Sequence, residues 1–269
     1  MAPRQRPSEQ SLQQLHEHLL LLKLCRLEKT LDEQLAHAAR EQTPVSEVLA
    51  HLIAIEAENL IERRIERRIN ESRLPTRKLL ADFDFAFQPG LDKAQVMELA
   101  SLAFVQRTQS LILAGGSGTG KSHIAMALLL LGCQRRYRCR YTTASAMLAD
   151  LMAGLADDSL ERKLKAYTAV DLLLIDEVGF DRLEQESARN ASLFFKVIEA
   201  RYAKRSTLLT TNIDFKVLGD YLGDPVITAS MVDRLVHHAI IISIDGPSYR
   251  MHESKKLNRQ QRKKTTPTS

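Results

Sequence analysis

The eight residues GGSGTGKS at 115–122 satisfy the pattern G-x-x-x-x-G-K-[ST] and constrain this chain more than any other segment. Gly115, Gly118 and Gly120 have no Cβ, so the backbone can take positive φ and approach phosphate oxygens that a side chain would repel. Gly116, Ser117 and Thr119 complete a loop whose N–H groups form an anion cradle. A helix starting near Lys121 adds the positive end of its dipole. Lys121 itself reaches the β and γ phosphates, and the Ser122 hydroxyl is a ligand for Mg²⁺. The flanks agree: SLILA at 110–114 is an apolar strand entering the loop, and HIAMALLLLGC at 123–133 is a helical run leaving it. The expected ligand is a nucleoside triphosphate with Mg²⁺.

Further apolar runs, CRYTT at 139–143, LLLID at 172–176, TLLTT at 207–211 and AIIISID at 239–245, are separated by helical stretches. Strands alternating with helices predict an α/β fold, a parallel sheet with helices on both faces. The strands lack polar alternation, as expected when both faces are covered.

LLLIDE ends such a strand on two carboxylates, which puts acids beside the phosphate loop at the carboxyl edge of the sheet. Asp176 is the candidate to hold Mg²⁺, and Glu177 the candidate to polarise an attacking water, a role that fits hydrolysis. Asn212 closes TLLTTN, where an amide can orient that water. Arg234, in MVDRL, is assigned to a neighbouring subunit's γ phosphate as an arginine finger, with a structural ion pair as the other reading.

Residues 8–74 read as helices, with leucines at 12, 15, 19 and 22, a break at Thr43 and Pro44, and a second run from 45 to 69. In that run Ile61, Ile65 and Ile69 form a stripe; Arg64, Arg67 and Arg68 are a solvated face or a DNA contact. The expected organisation is a small all-helical domain over 1–75, an ATPase domain over 76–250, and a basic, disordered tail over 251–269. PTRKLLADFDFAFQPG, between Pro75 and Gly90, reads as a linker, followed by a helix capped by Asp92. Residues 250–269 carry seven Lys or Arg against Glu253, so the net charge of +5 is a property of this end. That end is either solvated or in contact with nucleic-acid phosphates, Lys255 and Lys256 being the candidates. The longest apolar runs fall short of a membrane span, the first ten residues have no secretory signature, and a cytoplasmic protein is expected. Cys25, Cys133 and Cys139 form no C-x-x-C pair and are expected to be reduced.

GGSGTGKS, LIDEVG, LFFKVIEARY, TLLTTN and above all GDPVITASMVDRLVHHAIIISIDGPSYR resemble the AAA+ superfamily of P-loop NTPases. Within it they are similar to the clade of DnaC-like helicase loaders and IstB-like insertion-sequence ATPases, and to the IstB branch specifically, over roughly residues 75–252. The resemblance implies an ATPase that assembles as a homo-oligomer on duplex DNA, with ATP at subunit interfaces, and recruits or activates a partner transposase. It implies Walker roles for Lys121, Ser122, Asp176 and Glu177, a sensor role for Asn212, the inter-subunit role for Arg234, and a second sensor role for Arg250. SAMLADLMAGLADDSLERKLKAY is similar to the clade's helical insertion, which makes Arg162, Lys163 and Lys165 candidate phosphate contacts, a solvated helix face being the alternative. The competing functions are a replicative helicase loader, a small-molecule phosphotransferase, and a DNA-binding scaffold that binds ATP without turning it over.

Overall fold

The computed structural model describes residues 9–179, 188–213 and 225–264. Two compact units divide between Arg67 and Arg68, inside one long helix, where the sequence predicts a boundary at 75. The helix carries through because VSEVLAHLIAIEAENLIERRIERRINE contains no Gly or Pro to end it.

The first unit comprises α1 (Glu9–Leu21), α2 (Cys25–Glu41) and most of α3 (Val45–Glu71). Gln42 takes a left-handed conformation that closes α2, and Pro44 precedes the first turn of α3. Leu19, Leu27, Leu31 and Leu52 form the buried core. Of the leucines at 12, 15, 19 and 22, only Leu19 is buried; Leu15 and Leu22 are exposed. Similarly, Ile69 is buried and Ile61 exposed.

Glu56 is buried in this unit, and its carboxylate accepts from the N–H of Arg26 (2.9 Å) and Leu27 (3.0 Å), capping the first turn of α2 from another helix. Asn59 Nδ2 and Arg63 donate to its second oxygen at 2.9 and 3.1 Å. Burial pushes the carboxyl upward, but the bonds from Leu27, Asn59 and Arg26 and the Arg63 charge outweigh it, leaving it below its ordinary value. A depressed carboxyl stabilises the fold above the unfolded value and loses that contribution as pH falls through the folded one. Glu56→Ala is expected to destabilise this unit by about 1–2 kcal/mol, through the lost cap. Urea unfolding followed by helical circular dichroism at pH 7 and pH 3 checks both statements: the variant should differ most from wild type at pH 7.

The second unit holds a five-stranded sheet in the order β2-β3-β4-β1-β5, all neighbours parallel. The strands are β1 (Ser110–Gly115), β2 (Cys139–Thr143), β3 (Leu172–Val178), β4 (Ser206–Thr211) and β5 (Ala239–Ile244). α4 (Lys93–Leu99), capped by Asp92 accepting from Ala94 N–H at 2.8 Å, and α5 (Ala103–Gln106) precede the sheet. α6 (Lys121–Gln134) follows β1. The other connections are α7 (Ala144–Ala156), α8 (Leu160–Thr168), α9 (Ala188–Arg201) and α10 (Pro225–His237).

Ile112, Leu173, Ile175 and Leu209 pack on one face with Met147, Leu151, Phe194, Val197 and Met231 of α7, α9 and α10. The alternate residues, such as Leu172 beside Gly132, turn towards α6. Both faces are therefore covered, and β4 is buried throughout. Cys133 and Cys139 are buried free thiols and Cys25 a half-buried one. No described helix is long and apolar enough to cross a membrane. Where the sequence predicts a disordered tail, helix α11 spans Tyr249–Lys264, since that segment also lacks Gly and Pro and is rich in Lys, Arg and Gln.

Candidate nucleotide site

Because all strands run the same way, β1, β3 and β4 deliver their carboxyl ends to one edge. β1 runs into the glycine loop, which turns into α6 at Gly120. Gly118 has φ 79°, and a Cβ there would collide with the Ser248 hydroxyl; one on Gly120, at φ 99°, would collide with the Phe83 ring. The loop is thus gripped from outside: Tyr249 N–H, in the first turn of α11, donates to Gly118 O at 2.9 Å.

Lys121 Nζ donates to Gly115 O and Gly116 O, each at 2.7 Å, which curls the ammonium into the loop where phosphate oxygens would take over as acceptors. Burial lowers its pKa, as does the Arg250 cation, while Asp176 pulls the other way. Ser122 Oγ donates to Asp176 Oδ1 at 2.9 Å, so the hydroxyl and carboxylate expected to share Mg²⁺ already meet.

β3 carries an irregularity between Ile175 and Val178, where its register on β4 shifts. Glu177, at φ 61°, is exposed there, whereas Asp176 is buried. One hydroxyl fixes both acids. Thr210 Oγ1 accepts from Glu177 N–H at 3.0 Å and donates to Asp176 Oδ1. Tyr141 OH approaches Asp176 Oδ2 at 3.4 Å; burial first, then the Asp176 and Glu177 charges, raise its pKa, so it stays a neutral donor.

Two cavities flank the loop. The larger, about 540 Å³, lies between the loop and the 77–88 segment and includes Phe83, Gln88, His123, Tyr249 and Arg250, a volume within the range of ligand pockets. The smaller, about 70 Å³, brings Lys121 and Ser122 together with Glu177, Asn212 and Arg250. Loop conformation, buried ammonium, paired hydroxyl and acid, and adjoining volume all fit ATP with Mg²⁺.

A family model described as IstB-like ATP binding protein matches residues 17–257. This chain belongs to the IstB-like ATP-binding protein family. An insertion sequence IS21 ATP-binding protein from Pseudomonas aeruginosa is 36% identical over 258 residues, covering 95% of this chain and 96% of the relative. An insertion sequence IS232 ATP-binding protein from Bacillus thuringiensis subsp. berliner is 34% identical over 90% of this chain and 96% of its own length. Among solved structures, DnaI matches with a TM-score of 0.53 at 22% identity, over 62% of this chain and 91% of that one. AMPPCP-bound DnaA from Aquifex aeolicus matches with 0.52 at 21%, over 70% and 56%. The fold is that of the AAA+ P-loop proteins.

In this IstB-like protein the predicted site residues separate into three groups. The glycine loop, Lys121, Ser122, Asp176, Glu177, Asn212 and Arg250 converge on the carboxyl edge. Arg234 lines neither cavity; it lies 5.0 Å over the Phe195 ring, donates to Ser230 Oγ at 2.6 Å and pairs with Glu199 at 3.7 Å. Lys163 corrects the sequence reading, since its ammonium turns back to Asp150 (3.6 Å) and Asp157 (3.7 Å) rather than outward, whereas Arg162 and Lys165 beside it are exposed. Lys255 and Lys256 are exposed on α11.

Sequence reasoning missed Phe83, Gln88, His123, Tyr141 and Thr210. Thr210 is one of four hydroxyl residues in STLLTT, and the sequence does not single it out; the 77–88 segment holds only a single 3-10 turn, Leu80–Asp82, too short to show a periodicity.

Proposed function

We propose that this IstB-like protein hydrolyses ATP and uses the nucleotide to switch an oligomer on duplex DNA, where it recruits or activates a transposase. The observation that carries hydrolysis is the small cavity, in which Glu177 and Asn212 face Lys121 and Ser122 with room for a water. Glu177 takes the proton of that water, Asn212 orients it, and Lys121 with Arg250 stabilises the charge developing on the γ phosphate. Ser122 and Asp176 would hold Mg²⁺, which supplies charge neutralisation between the β and γ phosphates when bound.

Arg234, directed away from its own nucleotide, serves the ATP of a neighbouring subunit. ATP binding then favours assembly and hydrolysis favours release, a population shift set by differential affinity. DNA phosphates are met by Arg162 and Lys165 of α8 and by Lys255 and Lys256 of α11, a helix whose first turn holds both Arg250 and a bond to the glycine loop. Relatives named for insertion sequences favour a transposase over a replicative helicase as the partner.

Light scattering on a gel-filtration column tests the switch, with ADP or a slowly hydrolysed ATP analogue, with and without a random-sequence duplex. Large complexes are expected only with analogue and duplex together. An unchanged small species in every condition would discard the switch.

A further inference from the structure

The opposite, amino edge of the sheet carries a row of cations that the nucleotide site does not use. It is made by the connections entering the five strands: residues 107–109, 135–138, 169–171, 202–205 and 237–238. They contain Arg107, Arg135, Arg136, Arg138, Lys204 and Arg205, and a single carboxylate, Asp171. Asp171 is shared by two arginines, Arg138 at 3.0 Å and Arg205 at 2.7 Å, so the pair of ion contacts leaves a surplus positive charge.

Strand order sets the row. From β2 to β5 the entrances read Arg138, Asp171, Arg205, Gln109 with Arg107 two residues before it, and His238. At ~4.8 Å per strand this edge spans about 19 Å. Arg107, Arg136, Arg138 and Lys204 are exposed along it. At the β5 end Tyr202 OH bonds His237 Nδ1 at 2.7 Å, and the His237 and His238 rings lie 4.1 Å apart.

Helix dipoles account for part of this, since α6, α9 and α10 end at this edge and their last turns favour cations. They do not account for Arg136, Arg138, Lys204 and Arg205, which lie beyond those last turns. None of the residues in the five connections is an exposed large hydrophobic, so the core of a protein–protein interface is missing among them. A row of forked guanidiniums without an apolar anchor fits a regular polyanion.

We infer that the amino edge of the sheet is a second DNA-binding surface, contacting the phosphate backbone of a duplex without reading bases. It rests on the reading that this protein binds DNA, and adds a surface on the edge remote from ATP, so this contact is independent of nucleotide.

The test is the variant Arg107→Gln/Arg136→Gln/Lys204→Gln, three exposed cations outside the ion pairs of Asp171. Binding of a fluorescent random-sequence duplex is titrated in ADP between 50 and 200 mM salt. The variant is expected to bind at least about tenfold more weakly near ~0.1 M salt, with a log–log salt slope smaller by about 2–3. Thermal unfolding and binding of a fluorescent ATP analogue should match wild type; if the triple variant unfolds, Arg107→Gln/Lys204→Gln takes its place, with a slope smaller by about 2. Wild-type affinity and slope in the variant would overturn the amino-edge surface and leave the DNA reading standing. No duplex binding by wild type in any nucleotide state would overturn both. Polyglutamate displacing the duplex at equal charge concentration would overturn the assignment to nucleic acid.

Discussion

Glu177→Gln should lower the steady-state rate of ATP hydrolysis by about 10²–10⁴-fold while leaving ATP affinity nearly unchanged. The reasoning starts from the backbone. The irregularity in β3 puts Glu177 at φ 61°, facing out, one residue after a buried Asp176 that bonds Ser122. Thr210 holds the Glu177 N–H at 3.0 Å, so the side chain leaves a fixed main-chain point into the small cavity. Glutamine keeps the length and the backbone bond but cannot take a proton. Binding contacts made by Lys121, Ser122 and the loop are untouched, so the loss falls on turnover. The readouts are phosphate release and titration of a fluorescent ATP analogue. With an assembly switch the variant also stays on DNA after ATP is added, because release follows hydrolysis. Turnover within tenfold of wild type would remove Glu177 from the role of base.

How much of this was readable in advance depends on whether a residue's role is local in the chain. GGSGTGKS is local: one strand, one turn and one helix start fix Lys121 and Ser122 as the first two residues of α6. The acids at the end of LLLIDE follow from the parallel sheet, since each strand must finish at the same edge. What the sequence could not show is contact between distant segments. Phe83 lies over the turn at Gly120, and Tyr249 bonds Gly118, yet neither stands in a periodic element that points at the loop. Lys163 looks like its neighbours Arg162 and Lys165 in sequence; only the approach of α7 gives it Asp150 and Asp157 as partners. Helix α11 differs from the expected tail for another reason: charge density suggests solvation, whereas residue propensity and a fastened first turn favour a helix.

Arg201 is the extreme case, and its replacement by leucine should destabilise the ATPase unit by about 3–5 kcal/mol. In the sequence it stands in EARY, the last residue of α9. In the fold it is 1% exposed. Its guanidinium donates to the carbonyls of Tyr167 (2.8 Å), Val170 (2.9 Å) and Ser206, and Nε to Thr207 Oγ1 at 3.0 Å. The donors therefore tie the end of α8, the entry to β3 and the start of β4 to the end of α9. Among the described residues no carboxylate bonds it directly. Burial, with a smaller effect from the Arg205 cation, pushes its pKa down to about 9, against the pull of Asp171, so it remains charged at neutral pH. Leucine fills part of the volume but leaves three carbonyls without their donor, at about 1 kcal/mol or more each. For a unit of this size the main thermal transition should fall by roughly 6–20 °C. Arg201→Lys should fall between, since one ammonium can reach some acceptors but cannot span the fork. The Leu variant should still bind ATP normally below its transition, because Arg201 lies at the amino edge and lines neither cavity. A shift under about 3 °C would show that the carbonyls find other donors, and that the buried cation is a passenger in the core and not its clamp.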